Sequence, residues 1–545
     1  MSSFAPAPRT EPGSGRILLY LAGFVLVWTL YAAIIEAPVS LKHDMAEAYA
    51  WGRQFQWGYN QHPPFWAWIC GAWFRLLPRQ IWAFAALSSL NAGIGLWGAW
   101  VAMGEFAAGP RREAGLLLLL LTPLYTFYAY KYDANTIFLS VWPWMLVAFL
   151  RLMRRMRVRD GVAFGIATAC AILSKYYAAV LIATCALAWV QMPNRFRLFA
   201  RPAPFVAMAV TLGLITPHLW WLTWSGAPPL RYLASIEGWP WPWVLAHAAN
   251  APASALGMWA GPILLAGFVW WRGRATPVMA GLDPAIRPGA RTPAPGRDVS
   301  GRDMRGWMAG SSPAMTKGAG MTGGGVPGIA VIATLTFAPL LLSELGALVE
   351  RTTLTSEMLL GTFPLAPLLL LAPLGPEALA RLRRLARRLA LAVSLGALAA
   401  APVTMLWRTW LSPGAMKVQP YQEVARVATK IWHQRTGAPL RYVAGTHWYE
   451  NEIAFYSSDR PHAFKAFHYA EALWVTPARL ARDGLLSVCV ASDARCLRRT
   501  ARFVTPGTTR TEVTLARRFL GHVARPVRFV ITVIPPARSA RRGPG

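Results

Sequence analysis

The sequence predicts a polytopic α-helical membrane protein of about eleven transmembrane helices, with a small C-terminal extracytoplasmic α/β domain. Three observations predict it. Of the 545 residues, 55% are hydrophobic and only 14% charged, whereas soluble domains carry nearer ~25% charged residues. Apolar runs of about 20 residues recur, each long enough to cross a hydrocarbon core of ~30 Å. After about residue 409 the long runs stop, and short segments of strand-like composition alternate with helical ones.

In chain order, the apolar runs predict spans over 17–37, 80–103, 114–131, 134–153, 161–174, 175–192, 203–222, 254–271, 327–348, 356–374 and 388–408. The run at 17–37 is too long for the apolar region of a signal peptide and is read as a retained helix. The net charge of +31 would suggest a nucleic-acid partner in a soluble chain. Here the basic residues flank the apolar runs (Arg111/Arg112, Arg151 to Arg159, Arg195 to Arg201, Arg381 to Arg388), as cytoplasmic loops do. No nucleic-acid motif accompanies them, so that partner is rejected. The alternation puts 38–79, 130–133, 223–253 and 349–355 on the outer face. Both 151–159 and 195–201 look cytoplasmic, so 161–192 must be two short helices that break near Ser174-Lys175-Tyr176-Tyr177, a pattern tolerated where a break lines a cavity.

Four regions follow: 1–271, transmembrane, with its first outer loop at 38–79; 272–325, a Gly/Pro/Ser/Arg-rich insertion expected to be disordered; 326–408, the remaining spans; and 409–545, the outer domain. The insertion holds a near-repeat, MAGLDPAI and MAGSSPAM. In the last region LRYVAG, LLSVCVAS, TEVTLARRFL and RPVRFVITVI read as strands, and 420–435 and 493–502 as helices. Cys489 and Cys496 could pair in an oxidising compartment, or remain two thiols. The other three cysteines lie in or beside apolar runs.

The first outer loop carries the densest chemistry: LKHDMAEAYAWGRQFQWGYNQHPPF at 41–65. A helix over 44–58 would lay Tyr49, Trp51, Phe55 and Trp57 along the membrane interface. Asp44 is a candidate general base toward a hydroxyl or amine. It could equally cap that helix, with Glu47 closing a capping box. His62 could bind phosphate or a metal, or be a polar interfacial histidine. In YKYDANT, Asp133 could cap the following helix through Asn135 and Thr136, or meet Asp44 across an outer cavity beside Lys131. His218 and Arg231 sit near the outer end of their span and in the next outer loop. Either could hold an anion or anchor the interface.

The acid after the first span, the aromatic segment and the HPP together resemble the GT-C class of membrane glycosyltransferases. More narrowly they resemble the family 39 protein mannosyltransferases, lipid A aminoarabinose transferases and Rgt-type galacturonosyltransferases. The motifs DMAEAYAWGR, WGYNQHPPF, YDANT and SKYY carry the likeness. It implies an inverting transfer of a sugar from a polyprenyl-phosphate donor to an envelope acceptor: lipid A or lipopolysaccharide, another glycolipid, or protein. It implies a bacterial inner membrane, with the active site and C-terminal domain facing the periplasm. By position, Asp44 would be the general base and Asp133 the acid of the second outer loop. Lys131, Lys175 and Arg231, in falling order, would hold the phosphate, with Glu47 and His218 also near substrate. His62 stands where relatives often have Lys, which leaves a phosphate-ligand role open, and Gln61 where they can have an acid, which counts against a metal site there; a divalent metal is the one cofactor considered. The rival readings are a lipid or solute transporter, disfavoured by the lack of half-to-half similarity, and a non-enzymatic envelope assembly protein, which leaves the acidic, aromatic loop without a role.

Overall fold

The computed structural model describes residues 14–192, 195–274, 325–359, 361–410 and 419–537. The expected insertion at 272–325 falls almost wholly outside them.

The chain opens with α1 (Ser14–Glu36), an apolar helix, and turns into α2 (His43–Gly52) and α3 (Phe65–Leu76). The helix expected over 44–58 is therefore shorter: it ends at Gly52, and Phe55 takes φ 46°, outside any right-handed helix. α2 and α3 touch backbone to backbone at Gly52 and Gly71, where a Cβ on either would overlap the other chain. Tyr49 and Trp51 are buried between protein elements and do not lie along the lipid interface; Trp57 is exposed. Trp51 stacks on Tyr59 at 4.9 Å.

There follow α4 (Ile81–Met103), α5 (Gly109–Leu120), α6 (Phe138–Arg155), α7 (Val158–Ser174), α8 (Ala178–Val190) and α9 (Ala203–Trp224). Two short helices, α10 (Pro228–Ala234) and α11 (Trp241–His247), lead to α12 (Asn250–Arg274). Beyond lie α13 (Gly325–Val349), α14 (Ala366–Leu371) and the long α15 (Pro376–Trp410). Among the described residues six helical stretches are long and apolar enough to cross a membrane: Gly15–Glu36, Ile81–Met103, Ala203–Trp224, Trp241–Gly273, Gly328–Val349 and Pro376–Thr409. Several expected spans are shorter than drawn. α5 stops before Pro123, and 356–374 is split into a 3₁₀ turn (Ser356–Leu359) and α14, with Pro364 between them and Pro373 after. Proline removes a donor and disfavours helix at the residue before it. The chain does break between Ser174 and Ala178, where Lys175 is extended.

The C-terminal domain starts with α16 (Tyr421–Thr436), then β1 (Tyr442–Gly445), α17 (Tyr449–Tyr456), β2 (His462–Ala463), α18 (Pro477–Asp483), β3 (Leu485–Val490) and α19 (Ala494–Ala501). It closes with β4 (Thr509–Leu515), a two-residue pair β5 (Arg518–Phe519) and β6 (His522–Val523), and β7 (Val527–Ile534). The five-stranded sheet has order β2-β1-β3-β7-β4, parallel across β2-β1-β3 and antiparallel across β3-β7-β4. Val424, Ala425, Ala428 and Trp432 bury one face of α16 with Val443, Leu486 and Ile531 of the sheet. Cys489 and Cys496 form a disulfide.

This domain rests on the first outer loop. Phe455 of α17 packs on Tyr49 at 5.1 Å, and Arg53 Nη1 donates to the carbonyls of Arg460 and Pro461 at 2.6 and 3.1 Å. The end of α1 and the end of α15 meet beside it, where Arg408 pairs with Glu36 at 2.8 Å. α2 and the C-terminal domain lie on one face of the molecule, the domain face.

Candidate active site

Asp44 lies in the first turn of α2, yet it does not cap the helix. The N-cap is Lys42, with no side-chain cap hydrogen bond. Nor does Glu47 close a capping box: its Oε1 receives Lys465 Nζ of the C-terminal domain at 2.7 Å, in a pair buried on both sides. The Asp44 carboxylate, 47% exposed, turns instead toward Lys131.

Lys131 is the hub. Its Nζ stands 2.8 Å from Asp133 Oδ2, 2.5 Å from Glu357 Oε2 and 3.7 Å from Asp44 Oδ2. Three carboxylates from three separate connections thus converge on one ammonium, and their oxygens lie within 4.8 Å of one another. Asp133 is held rigidly: its Oδ1 accepts the backbone N–H groups of Asn135 and Thr136, each at 2.8 Å. It therefore serves the turn into α6 and the cluster at once. Lys175 Nζ donates to Asn135 Oδ1 at 2.5 Å, which ties the α7–α8 break to the same loop.

The three acids are not equivalent. Burial and the neighbouring Asp133 charge push the Asp44 carboxyl up to about 6, against a downward pull from Lys131. Burial works against ionisation of Asp133 too, but Lys131 and the two amide donors outweigh it and hold its carboxyl below the usual range. So Asp133 is a fixed anion, while Asp44 takes and releases a proton near neutral pH. Lys131 is raised, its partners overcoming its own desolvation, and stays charged.

His62 does not supply a cation. Burial pushes its imidazole down to about 3, helped by the Lys175 and Lys465 charges. Its ring sits against Trp51 and Trp66, at 6.4 and 5.9 Å. His218 is spent on packing: its Nδ1 meets the Trp57 carbonyl at 2.6 Å and its Nε2 the Tyr176 hydroxyl at 2.9 Å. Arg231 is exposed and reaches the Ser225 carbonyl at 3.4 Å. Neither has a contact with the acid cluster, because α9 and α10 carry them to another part of the wall.

Glu357 was absent from the sequence-derived candidates, since 356–374 reads as one span. An acid in an apolar stretch is itself a functional signal, and the short 3₁₀ turn Ser356–Leu359 brings it to the cluster. Lys42 was also missed. Its Nζ lies 3.5 Å over the Tyr130 ring, and burial first, then the Lys131 charge, lowers it to about 8 despite Glu36.

Residues 61–221 match the family model described as dolichyl-phosphate-mannose-protein mannosyltransferase. That stretch runs from QHPPF through YDANT and SKYY to Trp221, in the last turn of α9. No curated protein matches the chain. Among solved structures, ArnT from Cupriavidus metallidurans bound to undecaprenyl phosphate aligns over 98% of this chain and 100% of its own, with TM-score 0.58 and 12% identity. The apo form of ArnT from Cupriavidus metallidurans aligns over 95% of this chain and 98% of its own, with TM-score 0.53 and 13% identity. The fold is like that of ArnT. The resemblance read from 41–65, YDANT and SKYY is borne out at that level.

Proposed function

We propose that this protein is an integral-membrane glycosyltransferase that moves a sugar from a polyprenyl-phosphate donor to an envelope acceptor, with inversion, at the periplasmic face of the inner membrane. The observation that carries the reading is the Lys131 cluster: three carboxylates share one ammonium, and among them Asp44, half exposed, is raised to about 6 while Asp133 is held below the usual range. A similar solved fold, ArnT, was captured with undecaprenyl phosphate, which supports the donor class.

In this reading Asp44 accepts the proton of the acceptor hydroxyl or amine as its oxygen or nitrogen attacks the anomeric carbon. The bond from that carbon to the donor phosphate breaks, and the phosphate oxygen leaves with the electron pair. The polyprenyl phosphate is then released as an anion, for which Lys175, tied to the Asp133 loop through Asn135 and in no ion pair among the described residues, supplies a cation. Asp133 and Glu357 act through Lys131 and position it. Their donor set does not suit a divalent cation as it stands, because the Lys131 ammonium already occupies the space between them at 2.8 and 2.5 Å. The acceptor is an envelope molecule with a free hydroxyl or amine: lipid A or lipopolysaccharide, another glycolipid, or protein.

The test is an in-membrane assay with radiolabelled polyprenyl-phosphate sugars and total envelope acceptors. Transfer by the native protein and none by a folded Asp44→Asn variant is the expected result. Equal transfer by both would remove Asp44 from the chemistry, and transfer by neither would sink the donor class.

A further inference from the structure

A cavity of about 940 Å³ opens on the domain face, away from the Lys131 cluster, between the ends of α1, the start of α4 and the outer face of α16. Its floor is apolar, with Ala33, Ile81 and Trp82 from the ends of membrane helices. Its rim is cationic: Arg79, Arg426, Lys430 and Arg517, with His433 beside them, and no acid in the lining. Two of these cations are spent. Arg79 donates to the carbonyls of Phe455 and Ser457 at 2.5 and 2.8 Å, and Arg517 pairs with Glu423 at 2.9 Å. His433 pairs with Asp459 at 2.6 Å. Arg426 and Lys430 are different: both are exposed, and among the described residues neither forms an ion pair or a hydrogen bond.

Their placement follows from the helix. α16 buries Val424, Ala425, Ala428 and Trp432 against the sheet. Residues 426 and 430, four apart, then share one face, which projects over the groove. Two uncompensated cations at the domain face, above an apolar floor at membrane level, form a seat for an anion that brings apolar chains with it.

We propose that this groove binds the phosphate-bearing headgroup of a membrane lipid: Arg426 and Lys430 hold the phosphate, and the acyl chains leave along Ile81 and Trp82. Basic pockets at helix ends recognise anionic headgroups in this way, and an Arg fork suits a phosphate. The site is separate from the acid cluster and does not depend on the transferase reading.

The test is native mass spectrometry of the full chain in detergent, titrated with dihexanoyl phosphatidic acid, dihexanoyl phosphatidylcholine or inorganic phosphate. Phosphatidic acid is expected to bind and to be displaced poorly by inorganic phosphate. The exposed pair Arg426→Gln/Lys430→Gln should weaken its binding about 30-fold, the sum of two basic side chains acting at a headgroup. Trp82→Ala should narrow the preference over inorganic phosphate. Arg495→Gln/Arg498→Gln, two exposed arginines on α19, should change nothing. Equal binding of phosphatidylcholine, an equal loss in the α19 variant, or full displacement by inorganic phosphate at the same concentration would each overturn the proposal.

Discussion

Asp44 and Glu47 lie three residues apart on one short helix, yet the structure uses them in opposite ways. Glu47 faces the C-terminal domain, where Lys465 neutralises it at 2.7 Å and water is excluded. Asp44 is half exposed; the cation nearest it, Lys131, is 3.7 Å away and already shared with Asp133 and Glu357. The first acid is a structural charge with one closed partner. The second is an incompletely compensated charge, which is how a carboxyl group acquires a proton affinity near working pH. Spacing along a helix decides which direction an acid faces. The partner waiting there decides what it does.

The sharpest way to break this contrast is Asp44→Asn. We expect transfer to fall about 10³-fold, the scale of a lost general base, with the thermal midpoint unchanged. A loss of transfer matched by a loss of stability would make Asp44 another structural charge.

The converse change is Glu47→Gln, which strands the Lys465 ammonium in a buried site. It should destabilise the docked domain by about 3–5 kcal/mol, read as a lower unfolding midpoint or faster proteolysis. The double variant Glu47→Gln/Lys465→Met should recover part of that loss. An unchanged midpoint in Glu47→Gln would show that the pair contributes nothing to docking.

A smaller effect should follow from changing the shared cation. With Asp44 raised to about 6, transfer should decline as pH falls through that value, because the base must be ionised to accept a proton. Lys131→Gln removes a charge that favours the carboxylates of both Asp44 and Asp133. The acidic limb of the pH profile should then move upward, by about one unit or more. A limb that stayed in place would mean that Lys131 does not govern Asp44.

The smallest expected effect is that of Arg231→Gln. Its guanidinium contacts only a carbonyl at 3.4 Å in an exposed turn, so transfer should change less than about twofold. A tenfold loss would place α10 over the donor during turnover.

The class of the fold was legible because membrane insertion is a matter of composition: apolar runs and flanking basic clusters need no knowledge of contacts. Helix lengths were less legible. The 356–374 run looked continuous, but its prolines break it and free Glu357 to turn outward. For the same reason the sequence could place Asp44, Lys131 and Asp133 on one face without showing which of them would meet. His218 and Arg231 carried the same sequence signal as Lys175, a charged or polar group near a helix end. Only Lys175 reaches the Asn135 loop.

What the sequence determined by itself is therefore the membrane class, the local turn in which Asp133 receives the amides of Asn135 and Thr136, and the motifs that carry the family likeness. These depend on composition or on neighbours within a few residues. The tertiary structure alone decided that Lys131 is shared by three acids, that Glu47 belongs to Lys465, and that Arg426 and Lys430 overhang an apolar groove. Each of those joins residues distant in the chain, and a charge acquires its role from the partner that packing brings within a few ångströms.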